Sequence, residues 1–236
     1  MIRIEKLQLK YAKKQILHNA DLQVEKGQLV SLIGKSGSGK SSLLYILGGF
    51  LKPDSGIYQF DEKPVYRLGE FGLGAFRKKN IGFVFQDFRL LPFLTVQQNI
   101  RLPLYFSGKK TSRSFLSSLV QKLGLEHRKK AYPLNISGGE AQRTAIGRSL
   151  VNQPRVLLLD EPTGNLDLET EKEIIELLLD FKKSGLTLVC ATHSPGIVAI
   201  SDVVYEVAGG TVTKKEPVSL PAKKKQVKKK AKKVSK

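Results

Sequence analysis

The chain has 236 residues, of which 41% are hydrophobic, and a formal net charge of +19 from 40 Lys or Arg and 21 Asp or Glu. This length allows one large domain or two small ones with a sizeable core, and no apolar run approaches the ~18 residues of a membrane-spanning helix. The first residues alternate apolar and charged side chains, unlike a signal peptide, and the single cysteine, Cys190, excludes an intrachain disulfide, so we expect a cytoplasmic protein.

The first elements predicted along the chain are two strands and a helix. Residues 2–9 predict a strand whose apolar alternation breaks between Ile4 and Leu7. Residues 29–33 form an apolar run typical of a buried strand, and residues 40–51 have the pattern of a helix. A buried strand, a Gly/Ser-rich turn and a helix, in this order, are the setting of a phosphate-binding loop.

The turn between this strand and this helix matches the pattern G-x-x-x-x-G-K-[ST] in full. Its glycines let successive backbone N–H groups converge on phosphate oxygens, and the helix adds the positive end of its dipole. We expect Lys40 to reach the outer phosphates and the Ser41 hydroxyl to bind Mg²⁺. A Gly/Ser turn that merely enters a helix would look similar, but the flanking strand and helix favour nucleotide binding. The nucleotide-binding residues predicted here are Gly34, Lys35, Ser36, Gly37, Ser38, Gly39, Lys40, Ser41 and Ser42.

Three further segments can be interpreted from their sequence patterns. A second glycine-rich run, residues 69–74, is interpreted as a flexible connector, because no strand enters it and no helix cap follows. Between about residues 87 and 150 helical patterns dominate and strand-like runs are absent, which predicts a helical subdomain inserted into the sheet. Residues 203–213 carry β-type side chains around Gly209-Gly210 and predict a hairpin.

Two carboxylates end a buried strand in the second half of the chain. The apolar runs 156–159 and 186–189 predict strands, and residues 171–183 between them have helical spacing, so a parallel sheet covered by helices, an α/β fold, is expected. Asp160 and Glu161 follow the first run. Asp160 is expected to hold Mg²⁺ and Glu161 to act as the general base for the attacking water, whereas a strand that simply ends in solvated acids is the plainer alternative.

A family resemblance emerges from the motif that precedes these strands. Ile136-Ser137-Gly138-Gly139-Glu140, followed by Gln142-Arg143, resembles the signature motif of ATP-binding-cassette (ABC) proteins. The family's remaining motifs match in the expected order at Gln86, Asp167 and His193, and Tyr11 stands where the family places an aromatic residue against adenine. The resemblance covers about residues 1–213.

The resemblance implies an ABC ATPase fold, with a RecA-like parallel-sheet core, an N-terminal antiparallel β part and an inserted helical subdomain. It implies an ABC ATP-binding domain over residues 1–221, with the helical subdomain at about 87–150. The composition of residues 222–236, which are Lys, Ala, Val, Gln and Ser, cannot bury a core and predicts a disordered Lys-rich tail. The implied ligands are ATP and Mg²⁺. The implied partner is a second copy of the chain, paired head to tail, so that the signature of one copy addresses the γ-phosphate held by the other.

The family pattern also assigns roles to single residues, several of which have a structural alternative. The implied catalytic residues are Glu161, His193 and Gln86, and the implied Mg²⁺ ligands are Ser41, Gln86 and Asp160. Further nucleotide-binding residues are Tyr11, Ser137, Gly138, Gly139, Glu140 and Asp167. His193 is expected at the γ-phosphate, but a histidine there could also be a satisfied core residue. Ser137 with Glu140 is equally a capping box, and Asp167 caps a helix or, as in the family, communicates across the dimer.

The branch of the family is indicated by residues 90–100 and 162–167 together with the Gly-Gly-Glu form of the signature. These segments look like the lipoprotein-release, macrolide-export and cell-division ATPases. Such an ATPase is peripheral at the inner face of the cell membrane, and its partner is an integral membrane permease subunit. Ile136, Gln97 and Gly147 depart from the usual residues and leave the branch member open. A soluble ABC ATPase acting on nucleic acid, or a cell-division type ATPase that transports nothing, remains as an alternative.

The last residues carry much of the positive charge. Nine lysines and no acid lie in residues 223–236, which leaves +10 on residues 1–222. Such a tail is either a solvated end of the chain or a contact for anionic lipid, and nucleic acid would attract the same charges.

Overall fold

The computed structural model describes residues 1–12, 14–108 and 112–215, so the predicted tail of residues 222–236 lies outside the described residues. The strands are β1 (Ile2–Tyr11), β2 (Lys14–Val24), β3 (Leu29–Ile33), β4 (Ser55–Phe60), β5 (Lys63–Pro64), β6 (Ile81–Val84), β7 (Val156–Asp160), β8 (Thr187–Ala191), β9 (Val203–Ala208) and β10 (Thr211–Lys215). The α-helices are α1 (Lys40–Leu47), α2 (Gly69–Asn80), α3 (Val96–Ser107), α4 (Arg113–Lys122), α5 (Gly138–Leu150), α6 (Leu168–Lys183) and α7 (Pro195–Ala199).

The N-terminal strands form an antiparallel sheet in the order β2-β1-β4-β5. The break in alternation between Ile4 and Leu7 is a real feature of β1, because the register with β2 shifts between these two residues. Lys6 lies there with φ 47°, in the left-handed region. An extra residue in one strand of an antiparallel pair restores the inward direction of the next apolar side chain, and both Ile4 and Leu7 are buried.

The second sheet has the order β10-β9-β3-β8-β7-β6 and confirms the prediction of an α/β fold with a parallel core. β3 pairs in parallel with β8 and β9, and β7 pairs in parallel with β6 and β8. All five residues of β7 and of β8 are buried, as expected for central parallel strands with helices on both faces. The predicted hairpin is β9 and β10, joined through Gly209-Gly210.

The stretch between the two parts of this sheet contains α3, α4 and α5. Within the described parts of residues 87–150 no strand occurs, while the exact division of the chain into domains stays a prediction. Apolar side chains of all three helices join one hydrophobic cluster with those on one face of β7 and β8. These helices are therefore fixed to the sheet by their buried faces.

Two local predictions were wrong. Residues 69–74 are not a flexible connector but the first turns of α2, whose Leu73 and Phe76 are buried in the core. Burial of these two side chains outweighs the low helix propensity of three glycines, because tertiary packing supplies most of the stability of a helix in a protein. The helix expected over residues 40–51 ends at Leu47, and the Phe50 ring lies where a side chain at Gly48 would project. No helix in the described part of the chain is long and apolar enough to cross a membrane.

Candidate functional site

An open cleft of about 470 Å³ lies at the carboxyl ends of the parallel strands, which is where open α/β sheets bind ligands. It is lined by residues from four of the sequence motifs (the phosphate loop, Gln86, the acid pair and His193), by Gly164 and by Ile16 of β2. The lining residues are Ile16, Ser36, Gly37, Gly39, Lys40, Ser41, Ser42, Gln86, Glu161, Gly164 and His193. Residues separated by more than 150 positions in sequence thus meet around one space large enough for a nucleotide.

The phosphate loop joins the end of β3 to the start of α1 in a conformation that requires glycine. Gly34 has φ 145°, and a Cβ there would lie 2.2 Å from the Val207 carbonyl oxygen of β9. Gly39 has φ 107° immediately before α1, and a Cβ there would approach Leu17 to 3.2 Å. Because L side chains strongly disfavour these angles, the glycines hold the loop tight against the sheet with its backbone close to the cleft.

Lys40 lies inside this loop and is 6% exposed. Its Nζ donates hydrogen bonds to the carbonyl oxygens of Gly34 at 2.8 Å and Lys35 at 3.3 Å. The same atom lies 3.1 Å from His193 Nε2 and 3.9 Å from Glu161 Oε1. A buried ammonium group with loop carbonyls on one side and the cleft on the other can bind an anion in the cleft without moving its stem.

Ser41 and Asp160 meet at the base of the cleft. The Ser41 hydroxyl donates a hydrogen bond to Asp160 Oδ1 at 3.0 Å. Burial raises the pKa of Asp160, while the hydrogen bond from Ser41 and the positive charge of Lys40 act in the opposite direction. A buried carboxylate beside a hydroxyl, with the Gln86 amide on the same cleft, is the set of oxygen donors that Mg²⁺ prefers.

The oxygen donors of Ser41, Asp160 and Gln86 fit a Mg²⁺ ion that takes only part of its ligands from the protein. Within the described residues no group of three or more His, Cys, Asp or Glu side chains converges as a dedicated metal cage. Mg²⁺ commonly takes one or two protein ligands and completes its shell with water and substrate phosphates. Ser41, Asp160 and Gln86 suit an ion bound together with a nucleotide.

Glu161 and His193 form a pair at the ends of β7 and β8. Glu161 has φ 45°, directly after β7, and its N–H donates to the Ala191 carbonyl oxygen at 2.9 Å. Its carboxylate accepts a hydrogen bond from the His193 backbone N–H at 3.1 Å, and Oε1 lies 3.3 Å from His193 Nε2. The carboxylate is thereby oriented toward the cleft, where it can accept a proton from a bound water.

The signature segment lies elsewhere, and none of residues 137–140 lines this cleft. The Ser137 hydroxyl accepts from the Glu140 N–H at 3.2 Å, and Glu140 Oε2 accepts from the Ser137 N–H at 2.9 Å, which completes the capping box of α5. Burial raises the pKa of Glu140, but the hydrogen bonds from the Ser137 backbone and Arg128 outweigh this effect and lower it. The carboxylate of Glu140 is thus engaged within its own chain, while Ser137 and Gly138 are exposed.

Two other predicted residues have clear structural roles. Gly139 is buried, and a Cβ there would lie 2.4 Å from Thr170 Cγ2, so it lets α5 pack closely on α6. Asp167 caps α6: its Oδ1 accepts from the N–H groups of Glu169 and Thr170 at 3.0 Å, and these bonds lower its pKa. Tyr11 is 49% exposed at the end of β1 and is not among the residues lining the cleft.

Three residues of interest were not found from the sequence. Ile16 lines the cleft from β2, and Gly164 lines it from within residues 162–167, a segment in which the sequence indicated a site role for Asp167 alone. Arg148 of α5 donates hydrogen bonds from Nη1 to the Arg89 carbonyl oxygen and from Nη2 to that of Phe88, the latter at 2.5 Å. No local pattern marks such a contact, because its partners are about 60 positions apart in sequence.

Comparison with known proteins gives consistent similarities. A family model described as ABC transporter matches residues 17–164. The lipoprotein-releasing system ATP-binding protein LolD of Bacteroides thetaiotaomicron is 38% identical over 217 residues, which cover 91% of this chain and 100% of that protein. The macrolide export ATP-binding/permease protein MacB of Shigella flexneri is 37% identical over 205 residues, which cover 86% of this chain and 32% of that protein. A solved dimeric ATP-binding cassette in a post-hydrolysis state, bound to ADP and Pi, matches with a TM-score of 0.83 and 31% identity, covering 93% of this chain and 100% of that one.

Proposed function

Since this chain belongs to the ABC transporter family and is an ATP-binding and ATP-hydrolysing subunit, we propose that two copies of it close around two ATP molecules and drive an integral membrane permease. The work done is lipoprotein release or macrolide-type export, as the names of its relatives suggest. The subunit then lies at the inner face of the cell membrane, held by the permease. The observation that carries the proposal is the meeting of Lys40, Glu161 and His193 in one cleft beside the phosphate loop.

Each part of the cleft has a task in binding ATP. The backbone of the loop from Gly34 to Gly39 and the N-terminus of α1 bind phosphate oxygens. Lys40 is positioned to exchange its bonds to the loop carbonyls for bonds to the outer phosphates. Ser41, Asp160 and Gln86 would hold Mg²⁺, which when bound neutralises phosphate charge and orients the phosphates.

Hydrolysis needs a water activated on the side of the γ-phosphate opposite the leaving oxygen. Glu161 accepts a proton from this water while the water oxygen bonds to the γ-phosphorus. The bond between that phosphorus and the bridging oxygen of ADP breaks. Lys40 stabilises the charge that develops on the phosphate oxygens. His193 is placed to hold the carboxylate, through its backbone N–H, and to donate from its ring to a γ-phosphate oxygen.

A second copy supplies what the cleft lacks. Ser137 and Gly138 are exposed at the positive end of α5, away from the cleft of their own chain. A helix N-terminus with two glycines binds an anion through free backbone N–H groups. We propose that these groups bind the γ-phosphate held by the partner copy, so that closure of the pair depends on ATP.

The test is Glu161→Gln, which preserves shape and removes the proton acceptor. We expect hydrolysis to fall by about 10²–10⁴-fold while ATP binding survives, and the variant to accumulate as an ATP-bound dimer on a sizing column. Glu176→Gln, an exposed position on α6, is the matched control and should hydrolyse ATP normally. Turnover close to normal in Glu161→Gln would refute the assignment of the base. Lys40→Ala should instead weaken nucleotide binding itself.

A further inference from the structure

A long stretch of the chain that includes α3 and α4 is free of acidic residues. Residues 88–125 contain no Asp or Glu, although the chain as a whole has 21. The same stretch contains six basic residues, namely Arg89, Arg101, Lys109, Lys110, Arg113 and Lys122. The charge of this stretch is therefore uniformly positive. Such a bias over about 40 residues points to an anionic partner.

The structure gathers part of this charge around an amphipathic cleft of about 440 Å³ between α3, α4 and the turn after α4. Leu116 and Val120 are buried apolar residues of its lining. Arg101, Arg113 and Lys129 also line it, and all three are exposed. None of these three cations forms an ion pair with another residue in the part of the chain that the structure describes. Their charge is available to a partner.

Two exposed aromatic side chains lie on the same helix as Arg101. Tyr105 and Phe106 lie in the last turns of α3 and are 70% and 78% exposed. Arg101 is one helical turn before Tyr105, on the same side of α3. Exposed aromatic rings together with basic side chains are typical of surfaces at the membrane–water interface, where the rings enter the headgroup region and the cations bind lipid phosphates.

We propose that this face, made of the C-terminal half of α3 and the N-terminal half of α4, rests on the anionic lipid surface of the membrane. Arg101 and Arg113 bind headgroup phosphates, and Tyr105 and Phe106 enter the interface between headgroups and acyl chains. This inference rests on the proposed function, in which the subunit is docked at the membrane by a permease. It gives the subunit a lipid contact through its folded part, separate from the Lys-rich tail.

Lipid is favoured over an acidic protein segment by the chemistry of the face. An acidic segment would need the cations alone and would leave two large aromatic rings in water. A phospholipid surface satisfies both, because phosphate and hydrocarbon lie within one side-chain length of each other. The one acid at the cleft, Glu126, leaves a net positive charge beside Arg101, Arg113 and Lys129.

The test uses the absence of tryptophan from the chain. Phe106→Trp, in the full-length protein, introduces a single fluorophore on the proposed face. Phe71→Trp is the matched control, because Phe71 is 99% exposed on α2, away from α3 and α4. Each variant is mixed with vesicles of phosphatidylcholine and phosphatidylglycerol whose acyl chains are brominated, since bromine quenches only a tryptophan that reaches the acyl region. Vesicles of phosphatidylcholine alone are the lipid control.

We expect the tryptophan of Phe106→Trp to shift its emission to the blue and to be quenched in anionic vesicles, and that of Phe71→Trp to be neither. In the Phe106→Trp chain, Arg101→Gln with Arg113→Gln should weaken vesicle binding about tenfold at low salt. Lys78→Gln with Lys79→Gln, which removes the same charge from α2, should change it by less than twofold. The tail is present in every variant and affects them equally.

Three results would overturn the proposal: no quenching of Phe106→Trp in protein that sediments with the vesicles, equal quenching of both tryptophans, or equal effects of the two charge pairs. The first would mean that the tail alone binds lipid or that the face contacts a protein. ATP hydrolysis by the same Phe106→Trp sample reports on the proposed function separately. Normal hydrolysis without quenching removes the lipid contact and leaves the ATPase assignment intact.

Discussion

Arg148 is expected to hold the segment after Gln86 in a conformation that it would not adopt alone. Phe88 and Arg89 have φ values of 57° and 49°, so two consecutive non-glycine residues lie in the left-handed region. This conformation costs about 1–2 kcal/mol for each residue, or roughly 2–4 kcal/mol together. Hydrogen bonds to a charged donor contribute about 1.5–3 kcal/mol each, and Arg148 donates one to each of the two carbonyl oxygens. The bonds are therefore strong enough to offset the strain.

Replacing Arg148 with Met keeps the length of the stem and removes both donors. We expect the free energy of unfolding to fall by about 2–4 kcal/mol, because the strain is then uncompensated and two carbonyl oxygens lose their partner. Urea unfolding followed by circular dichroism measures this loss. Limited digestion with trypsin measures the local effect: the bond after Arg89 should be cleaved at least tenfold faster, since proteases require an extended backbone that the released segment can adopt.

Arg143→Met is the control for this prediction. Arg143 lies on the same helix and pairs at 2.6 Å with Glu173, whose side chain is 57% exposed against 18% for Arg143. Such a pair, with one partner in solvent, contributes about 1 kcal/mol. This variant should unfold close to the wild type and leave the bond after Arg89 protected. Equal losses of stability in the two variants, or unchanged digestion of Arg148→Met, would refute the view that Arg148 stabilises a strained segment.

Further predictions concern the phosphate loop, the Lys-rich tail and the residues after Gln86, where we expect an apolar docking groove for a helix of the permease. Gly34→Ala should abolish nucleotide binding, measured by equilibrium dialysis with ATP, because its Cβ would lie 2.2 Å from a carbonyl oxygen of β9. Phe93→Ser replaces a ring that is 70% exposed; it should remove stimulation by the permease and leave basal ATPase and melting temperature unchanged. Phe88→Ser should have the same effect, and a collapsed melting temperature would instead assign Phe88 to the hydrophobic core that it contacts. A chain ending at Pro221 should sediment less with anionic liposomes at physiological salt than the full-length chain, because it keeps only the contact through α3 and α4, and its ATPase activity should be unchanged. Equal sedimentation of both chains would exclude the tail as an anchor, and binding to duplex DNA or RNA tests nucleic acid as its partner.

The phosphate loop, the acid pair and the signature were predictable because their chemistry demands fixed residue types at fixed spacing. A loop that curls around phosphate needs glycine where φ is positive, as at Gly34 and Gly39, and it needs a lysine at its end. The strands of the parallel sheet were equally clear, since burial on both faces produces continuous apolar runs such as β7 and β8. The position of the cleft agrees with the parallel sheet, because the carboxyl ends of parallel strands meet at one edge.

The remaining features depend on contacts that have no local signal. The glycines of residues 69–74 suggested a connector, but the burial of Leu73 and Phe76 against the sheet decides for a helix, and burial depends on parts of the chain far away. The contact of Arg148 with Phe88 and the position of Ile16 at the cleft likewise arise only when β2, β6 and α5 have assembled. The position of Tyr11 against adenine stays a prediction, since the ring is half exposed at the end of β1 and is not among the residues lining the cleft.

In the proposed dimer, the signature segment serves both the folding of its own chain and the binding of a ligand held by the other copy. A carboxylate at the start of a helix would repel phosphate if it faced solvent, and Glu140 would then oppose the anion that the family motif is expected to attract. Here Glu140 turns inward, accepts from the Ser137 N–H and pairs with Arg128 at 3.0 Å. Its charge is thus compensated within the chain, and the Ser137 hydroxyl and the Gly138 N–H remain at the exposed positive end of α5. Glu161, Lys40 and the phosphate loop lie in a cleft that this helix end does not reach, so the proposed site has two halves in one chain that only a second copy can bring together.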